Sequence, residues 1–272
     1  MLWPALVSIA YLLGIISAVD AIMSARTPQG SIAWAVSLVT FPMIAVPAYW
    51  VLGRSKFHGM SEAYRDHQEE LQQLIGRILP RVMPAVDDDA SRDPHKRVLQ
   101  QIGTHHFMRA NDVELLVDGD RTFDSIIEGI EAAEHYVLVH FYMFKVGTLG
   151  RRMADAMKKK AGEGLKVTLC YDEIGSMGFP AGFGKELLDA GVMVSEFGTT
   201  QGWRNRFQLN FRNHRKIVVV DGKYAWIGGH NVGDEYLGLD PKIGPWRDTH
   251  VKITGPAALT AQAVIVADWF WA

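Results

Sequence analysis

The sequence predicts an α/β fold, a largely parallel or mixed sheet flanked by helices, preceded by a two-helix transmembrane hairpin. Three observations carry this reading. From Asn111 onward, short runs rich in β-branched residues alternate with helical runs. Ahead of them, Leu2 to Val19 and Ile32 to Val51 are apolar and without charged side chains. Between the two regions, residues 53–110 bring charge and proline back into the chain.

The hairpin comes first. At about 1.5 Å per residue, each apolar run is long enough to cross a hydrocarbon core of about 30 Å. Before Arg54 only Asp20 and Arg26 carry charge. Asp20 to Gly30 tends polar, and Pro28 and Gly30 act as breakers. The hairpin is therefore expected over residues 1–52, with spans at 2–19 and 32–51. The alternatives are a cleaved signal peptide or two buried core helices. A signal peptide needs a basic start, which Met1-Leu2-Trp3-Pro4 lacks. Arg54, Lys56 and Arg65 follow the second span, against Arg26 alone in the loop. The positive-inside rule then puts the rest of the chain in the cytoplasm. Trp3, Trp34, Tyr49 and Trp50 stand near span ends, where amphipathic rings favour the headgroup region.

Residues 53–110 read as a linker with one amphipathic helix. Ser61 is its N-cap, and Leu71, Leu74, Ile75, Ile78 and Leu79 recur at helical spacing before Pro80 and Pro84. The α/β domain occupies residues 111–272. Strands are expected at Val113–Val117, Tyr136–Phe144, Val167–Asp172, Val192–Phe197, His214–Val220 and Tyr224–Ile227. Helices are expected around Phe123–Ile130, at Leu149–Ala161 and Lys185–Ala190, and from Pro256.

A net charge of −2 excludes polyanion binding by bulk electrostatics, so an anionic substrate must meet a local positive cluster. One cysteine, Cys170, excludes a disulfide framework and reads as a core residue. The positive cluster is legible: no acidic residue lies between Glu196 and Asp221, whereas Arg204, Arg206, Arg212, Arg215 and Lys216 do. A solvated basic loop is the plain alternative. The residues beyond it weigh against that alternative. His214 and Lys216 stand two apart at the entry to an apolar β run, so their side chains share a face. Asp221-Gly222 makes a turn, and Gly228-Gly229 implies a close backbone approach. The hairpin then returns Asn231 toward His214 and Lys216. A nucleophile or base, a fixed cation and an amide donor around one pocket suit displacement at a phosphodiester.

His214-x-Lys216, four residues, Asp221, six residues, then Gly228-Gly229-x-Asn231 resembles the signature of the phospholipase D superfamily. Arg26 to Gly30, Phe141 to Phe144, Tyr171 to Gly175, Gly233 to Gly238 and Trp246 to Thr249 narrow it: they resemble bacterial cardiolipin synthases. The resemblance implies a phospholipase D-like α/β sandwich and a phosphatidyltransferase that joins phosphatidylglycerol molecules with release of glycerol. It further implies His214 as nucleophile of a phosphohistidine intermediate. Lys216 and Asn231 hold the phosphoryl oxygens, Gly229 and Arg212 support the phosphate, and Asp248 orients the imidazole. Asp221 counts with the catalytic set or mainly fixes the hairpin. No metal, cofactor or nucleic-acid partner is implied.

The family carries two such motifs and this chain one, ending at Asp268-Trp-Phe-Trp-Ala272 inside a helical pattern. The resemblance therefore implies a second half in cis, in trans or by homodimerisation. His140 stands where relatives more often have a carboxylate. It reads, like His230 and His250, as structural. The alternatives are a phosphodiesterase that uses water, and a lipid-binding half inactive without its second domain.

Overall fold

The computed structural model describes residues 2–24, 28–53, 76, 80, 83–87, 89, 92–103, 107–198 and 212–272. The expected helix from Ser61 lies outside them, as do Arg26, Arg54, Lys56, Arg65, Arg204 and Arg206. The chain divides into two compact units.

The first unit consists of α1 (Leu2–Ser24), α2 (Pro28–Thr40) and α3 (Pro42–Leu52). Two expectations are corrected here. Helix α1 does not stop near Val19 but runs through Asp20 to Ser24, since the Asp20 carboxylate accepts the Tyr49 hydroxyl at 2.6 Å. The expected span 32–51 is not one helix. It breaks at Phe41 (φ −130°, ψ 57°), because Pro42 donates no N–H and forces the preceding residue out of the helical region. Ser17 accepts the Trp50 indole N–H at 3.1 Å. Gly14 lets the Leu38 carbonyl approach to 2.4 Å from where a Cβ would stand. Ala18, Ala21, Leu38, Ala45, Val46 and Tyr49 form the buried seam, while Leu6, Leu12, Ile15, Ile16 and Ile22 point outward. Among the described residues, α1 is the one helix long and apolar enough to cross a membrane.

The second unit holds the sheet: β1 (Asp112–Val117), β2 (Tyr136–Phe141), β3 (Lys166–Asp172), β4 (Met193–Phe197), β5 (Lys216–Val220), β6 (Tyr224–Gly228) and β7 (Thr249–Thr254). Their order is β1-β7-β6-β5-β2-β3-β4. Strands β2, β3 and β4 are mutually parallel and the other pairs antiparallel, so the expected mixed sheet is present. Helices α4 (Pro94–Gly103), α5 (Gly119–Glu131), α6 (Thr148–Gly162), α7 (Ala181–Asp189) and α8 (Ala257–Trp271) complete it. Strand β7 and helix α4 are additions to the sequence reading.

Alternation along β5 sorts its side chains between two cores. Val218 and Val220 join Phe123, Ile126 and Ile130 of α5 and Leu149, Met153 and Met157 of α6. Ile217 and Val219 join Ala258, Ala261 and Ile265 of α8 on the other face. By the period of two, His214 and Lys216 belong to the α5–α6 face, and Arg215 to the α8 face. Burying large side chains on both faces contributes about 1.5–3 kcal/mol each, which makes β5 one of the best-held elements of the sheet.

Candidate active site

The site is built where β2 ends and β5 begins. In register, Phe141 faces Lys216. Beyond β2, the Tyr142 N–H donates to the Arg215 carbonyl at 2.9 Å, and the Met143 N–H to Asn231 Oδ1 at 3.1 Å. Two consecutive residues after the strand thus fix the His-x-Lys entry on one side and the asparagine on the other. Val232 pairs with Phe144 in the next step, closing the two loops together.

His214 is exposed and Lys216 buried. Lys216 Nζ lies 2.9 Å from His214 Nδ1 and 2.9 Å from the His214 carbonyl, and 5.3 Å from the centre of the Tyr142 ring. The His214 and Tyr142 rings pack at 4.5 Å. Burial pushes the Lys216 ammonium down to about 8, against an opposing pull from the Asp248 charge. His214 is also held below its ordinary value, by burial first and by the Lys216 charge second, while Asp172 opposes both. At neutral pH the pair is thus a neutral imidazole beside an ammonium. Lys216, a donor only, occupies Nδ1 and leaves the imidazole proton on Nε2.

Asn231 is buried, and its Nδ2 donates to the Tyr236 hydroxyl at 2.8 Å. An amide nitrogen carries two hydrogens, so one remains for a ligand. The two glycines before it are explained by their neighbours. A Cβ on Gly228 would stand 2.3 Å from the His250 ring, and one on Gly229 2.1 Å from Asp248 Oδ1. Asp248 itself accepts the Thr249 N–H at 2.7 Å. Arg212 stands two residues before His214, in the irregular stretch leading to β5.

Two expected members are placed differently. Asp221 lies at the opposite end of β5 from Lys216, and its carboxylate accepts the N–H groups of Glu134, His135 and Tyr136 at 2.8–2.9 Å. It fixes the loop before β2 and is not brought to His214. Asp248 shows no hydrogen bond to His214 among the described residues; its charge acts on Lys216, His230 and His250. The carboxylate whose charge acts on His214 is Asp172.

Asp172, at the end of β3, is fully buried and was missed as a site residue. It accepts the N–H groups of Ile174, Gly175 and Asn213 at 2.9–3.0 Å, and so holds the residue before His214. The signal was an aspartate closing an apolar strand just ahead of a glycine. His230 and His250 are both buried, with their Nδ1 atoms 2.9 Å apart, so one donates and the other accepts. Burial, then His230, pushes His250 down to about 3, and both rings are neutral at physiological pH. His140 is buried too and lies 3.3 Å from Asp268. A separate cavity of about 590 Å³ between α7 and β4, lined by Tyr171, Phe179 and Leu188 among others, contains none of these motif residues.

Residues 126–242 match the family model described as cardiolipin synthase, PLD-like domain, and residues 9–54 match phospholipase D-nuclease N-terminal. The chain is 44% identical over 270 residues to cardiolipin synthase A of Pseudomonas fluorescens (strain Pf-5), covering 98% of this chain and 56% of that protein. Against cardiolipin synthase A of Pseudomonas putida (strain W619) it is 43% identical over 267 residues, covering 97% and 56%. The chain thus spans little more than half the length of these relatives. Among solved structures, NucT from Helicobacter pylori is 20% identical with a TM-score of 0.45, covering 59% of this chain and 96% of that one. The phosphatidylserine synthase of Haemophilus influenzae is 19% identical with a TM-score of 0.44, covering 57% and 35%. The family matches and the identity along nearly the whole chain agree with the motif at His214: residues 126–242 are a PLD-like domain of the cardiolipin synthase family.

Proposed function

We propose that this chain is the part of a membrane-bound phosphatidyltransferase that carries one His-x-Lys motif, transferring a phosphatidyl group from one phosphatidylglycerol to another with release of glycerol. The observation that supports it most is the buried Lys216 ammonium held against an exposed His214 imidazole. A phosphodiester entering this pocket offers Lys216 a better acceptor than a neutral ring nitrogen, because charge-assisted bonds are about twice as strong. Drawing Nζ away frees a lone pair on His214. The imidazole attacks phosphorus, the P–O bond to the glycerol oxygen breaks, and that oxygen leaves with a proton from a general acid. The phosphatidyl group stays on His214 until the hydroxyl of a second phosphatidylglycerol, giving its proton to the now deprotonated acid, attacks phosphorus and breaks the P–N bond. Lys216 and the remaining Asn231 N–H hold the non-bridging oxygens, with Arg212 at the approach. Asp248 stabilises Lys216, and Gly229 gives it room.

His214 cannot serve as nucleophile and as general acid in one step. The acid is therefore assigned to a second His-x-Lys half, in cis, in trans or in another copy of this chain. Residues 1–52 anchor the enzyme, with α1 as one span and the kinked α2–α3 pair as its return. Prolines inside spanning helices are tolerated where neighbours satisfy the backbone. The catalytic domain, residues 111–272, then faces the cytoplasm, after a linker at 53–110.

The test supplies the chain with the second half and labelled phosphatidylglycerol, then quenches and maps the label. Label on His214 and cardiolipin as product are expected. Label elsewhere removes His214 as nucleophile, and phosphatidic acid as the sole product would make the protein a hydrolase. Reporters placed after Asp89 and near Gln29 test the topology. Cytoplasmic and periplasmic signals, respectively, are expected, and the reverse pattern overturns the orientation.

A further inference from the structure

Helix α8 presents Ala258, Ala261, Ile265 and Asp268 at helical spacing to the sheet, and all four are buried. Three are the small or apolar residues such a stripe calls for, and the fourth is a carboxylate that is 1% exposed. A charge in that position needs a partner, and Arg215 supplies the hydrogen bond while Oδ2 is left without one. Arg215 Nη1 donates to Asp268 Oδ1, and His140 Nδ1 lies 3.3 Å from Oδ2. Arg215 is the residue between His214 and Lys216, and it projects through the sheet to the face away from them.

Outside the ladder the chain around His214 is held by single contacts, among them Lys216 Nζ on the His214 carbonyl and the Arg215 N–H on Asn213 Oδ1. Strand β5 begins only at Lys216, so residues 212–215 belong to no ladder. Asp172 holds the Asn213 N–H on one side. The Arg215 carbonyl accepts the Tyr142 N–H, and Tyr142 is the ring packed on His214. A further pin is the Arg215 side chain, tied to Asp268. We infer that Asp268 is a positioning residue for His214: its buried carboxylate anchors Arg215 from behind the sheet and so fixes the imidazole against Lys216 and Tyr142. His140 lies beside the anchor as a neutral ring and makes no hydrogen bond to it. Burial pushes it down to about 4 despite the Asp268 charge, so the carboxylate balances Arg215 alone. The inference rests on the His214 reading above, and its test separates the two.

Asp268→Asn keeps the side-chain volume and leaves Arg215, whose side chain is 43% exposed, able to turn to water, so the fold is retained. In the chain complemented by its second half, kcat for transfer is expected to fall about 10-fold or more while KM stays within about 2-fold, the pattern of lost alignment. The rate at which diethyl pyrocarbonate carbethoxylates His214, read by peptide mapping of the chain alone, should change at least about 3-fold. This reading needs no turnover. Asp268→Glu should recover part of both, and Asp268→Asn combined with Arg215→Gln should cost no more than either change alone. Should Asp268→Asn fail to fold, Arg215→Gln carries the same measurements. Unchanged kcat and unchanged carbethoxylation, with or without a lower Tm, would show Asp268 to be purely structural and overturn the inference. Absence of transfer in the unaltered protein would sink the functional reading, while the carbethoxylation rates would still decide the role of Asp268.

Discussion

The two ends of β5 carry the same kind of motif residue and use it in opposite ways. At one end, Lys216 is buried next to an exposed His214, each below its ordinary pKa, with Asn231 keeping one donor unspent. At the other, Asp221 has three backbone N–H groups on its carboxylate. Four residues of apolar strand separate them. One end is held ready for a ligand that must displace an internal contact. The other already has its ligands, and they belong to the loop before β2. On the proposed function the signature joins a reactive half at Lys216 to an architectural half at Asp221, and the contacts each end makes tell them apart.

The largest expected effect lies at the reactive end. His214→Asn should remove label incorporation altogether, and Lys216→Ala should lower turnover about 10²- to 10³-fold, the usual loss for an oxyanion donor. Lys166→Ala, on the exposed start of β3, serves as the control. Equal loss in the control would break the contrast. The architectural end predicts the converse. Asp221→Asn should cost about 2–3 kcal/mol of stability, read by urea unfolding, because it weakens bonds to a charged acceptor. Activity per folded molecule should stay within about 3-fold. Asn tolerates the left-handed conformation that Asp221 adopts (φ 54°), so strain does not confuse the result.

The two ends should also respond oppositely to pH. For Asp221, burial raises the pKa, but the three N–H bonds together lower it below the usual carboxylate value. Its stability contribution is therefore complete at neutral pH and lost on acidification through that depressed pKa. Lys216 titrates at about 8. Affinity for dimethyl phosphate, a monoanion throughout, should fall as pH rises through that value, and Lys216→Arg should abolish the fall. A flat profile in the unaltered chain would take Lys216 out of the anion site. The smallest effects come from the glycines. Gly229→Ala should displace the Asp248 carboxylate and weaken anion binding roughly 10-fold. Gly228→Ala presses on the buried His250 ring and should cost about 1–3 kcal/mol of stability. Reversal of those two outcomes would mean that Asp248 is structural and His250 supports the site.

What could be read in the sequence follows the range of the contacts involved. The His214–Lys216 pair, the Asp221–Gly222 turn and the glycine approach were legible because each depends on neighbours along the chain. Strands β2, β3 and β5 announced themselves as apolar runs buried on both faces. Strand β7 did not, although Thr249-His250-Val251-Lys252-Ile253-Thr254 carries the alternation of a half-buried strand, because it has only two large apolar side chains, Val251 and Ile253. Asp172 was hidden for a different reason: it grips Asn213, 41 residues away, and nothing local separates it from a turn aspartate. The kink at Phe41 could have been anticipated from Pro42 alone, and the apolar run concealed it.

The strand order has a consequence for how the protein is made. Among the described residues, strand β1 is the first strand of the sheet to be synthesised, and the strand it pairs with, β7, comes after the other six. Between Val117 and Thr249 the ribosome adds more than a hundred residues, which at 5–20 residues per second occupies roughly 7–26 s. Through that interval Val113 and Leu115 lie on a segment with a ready-made row of backbone donors and acceptors and no partner. Nascent chains halted anywhere before Thr254 should therefore be the species that holdase chaperones capture, and release should coincide with the arrival of the seventh strand.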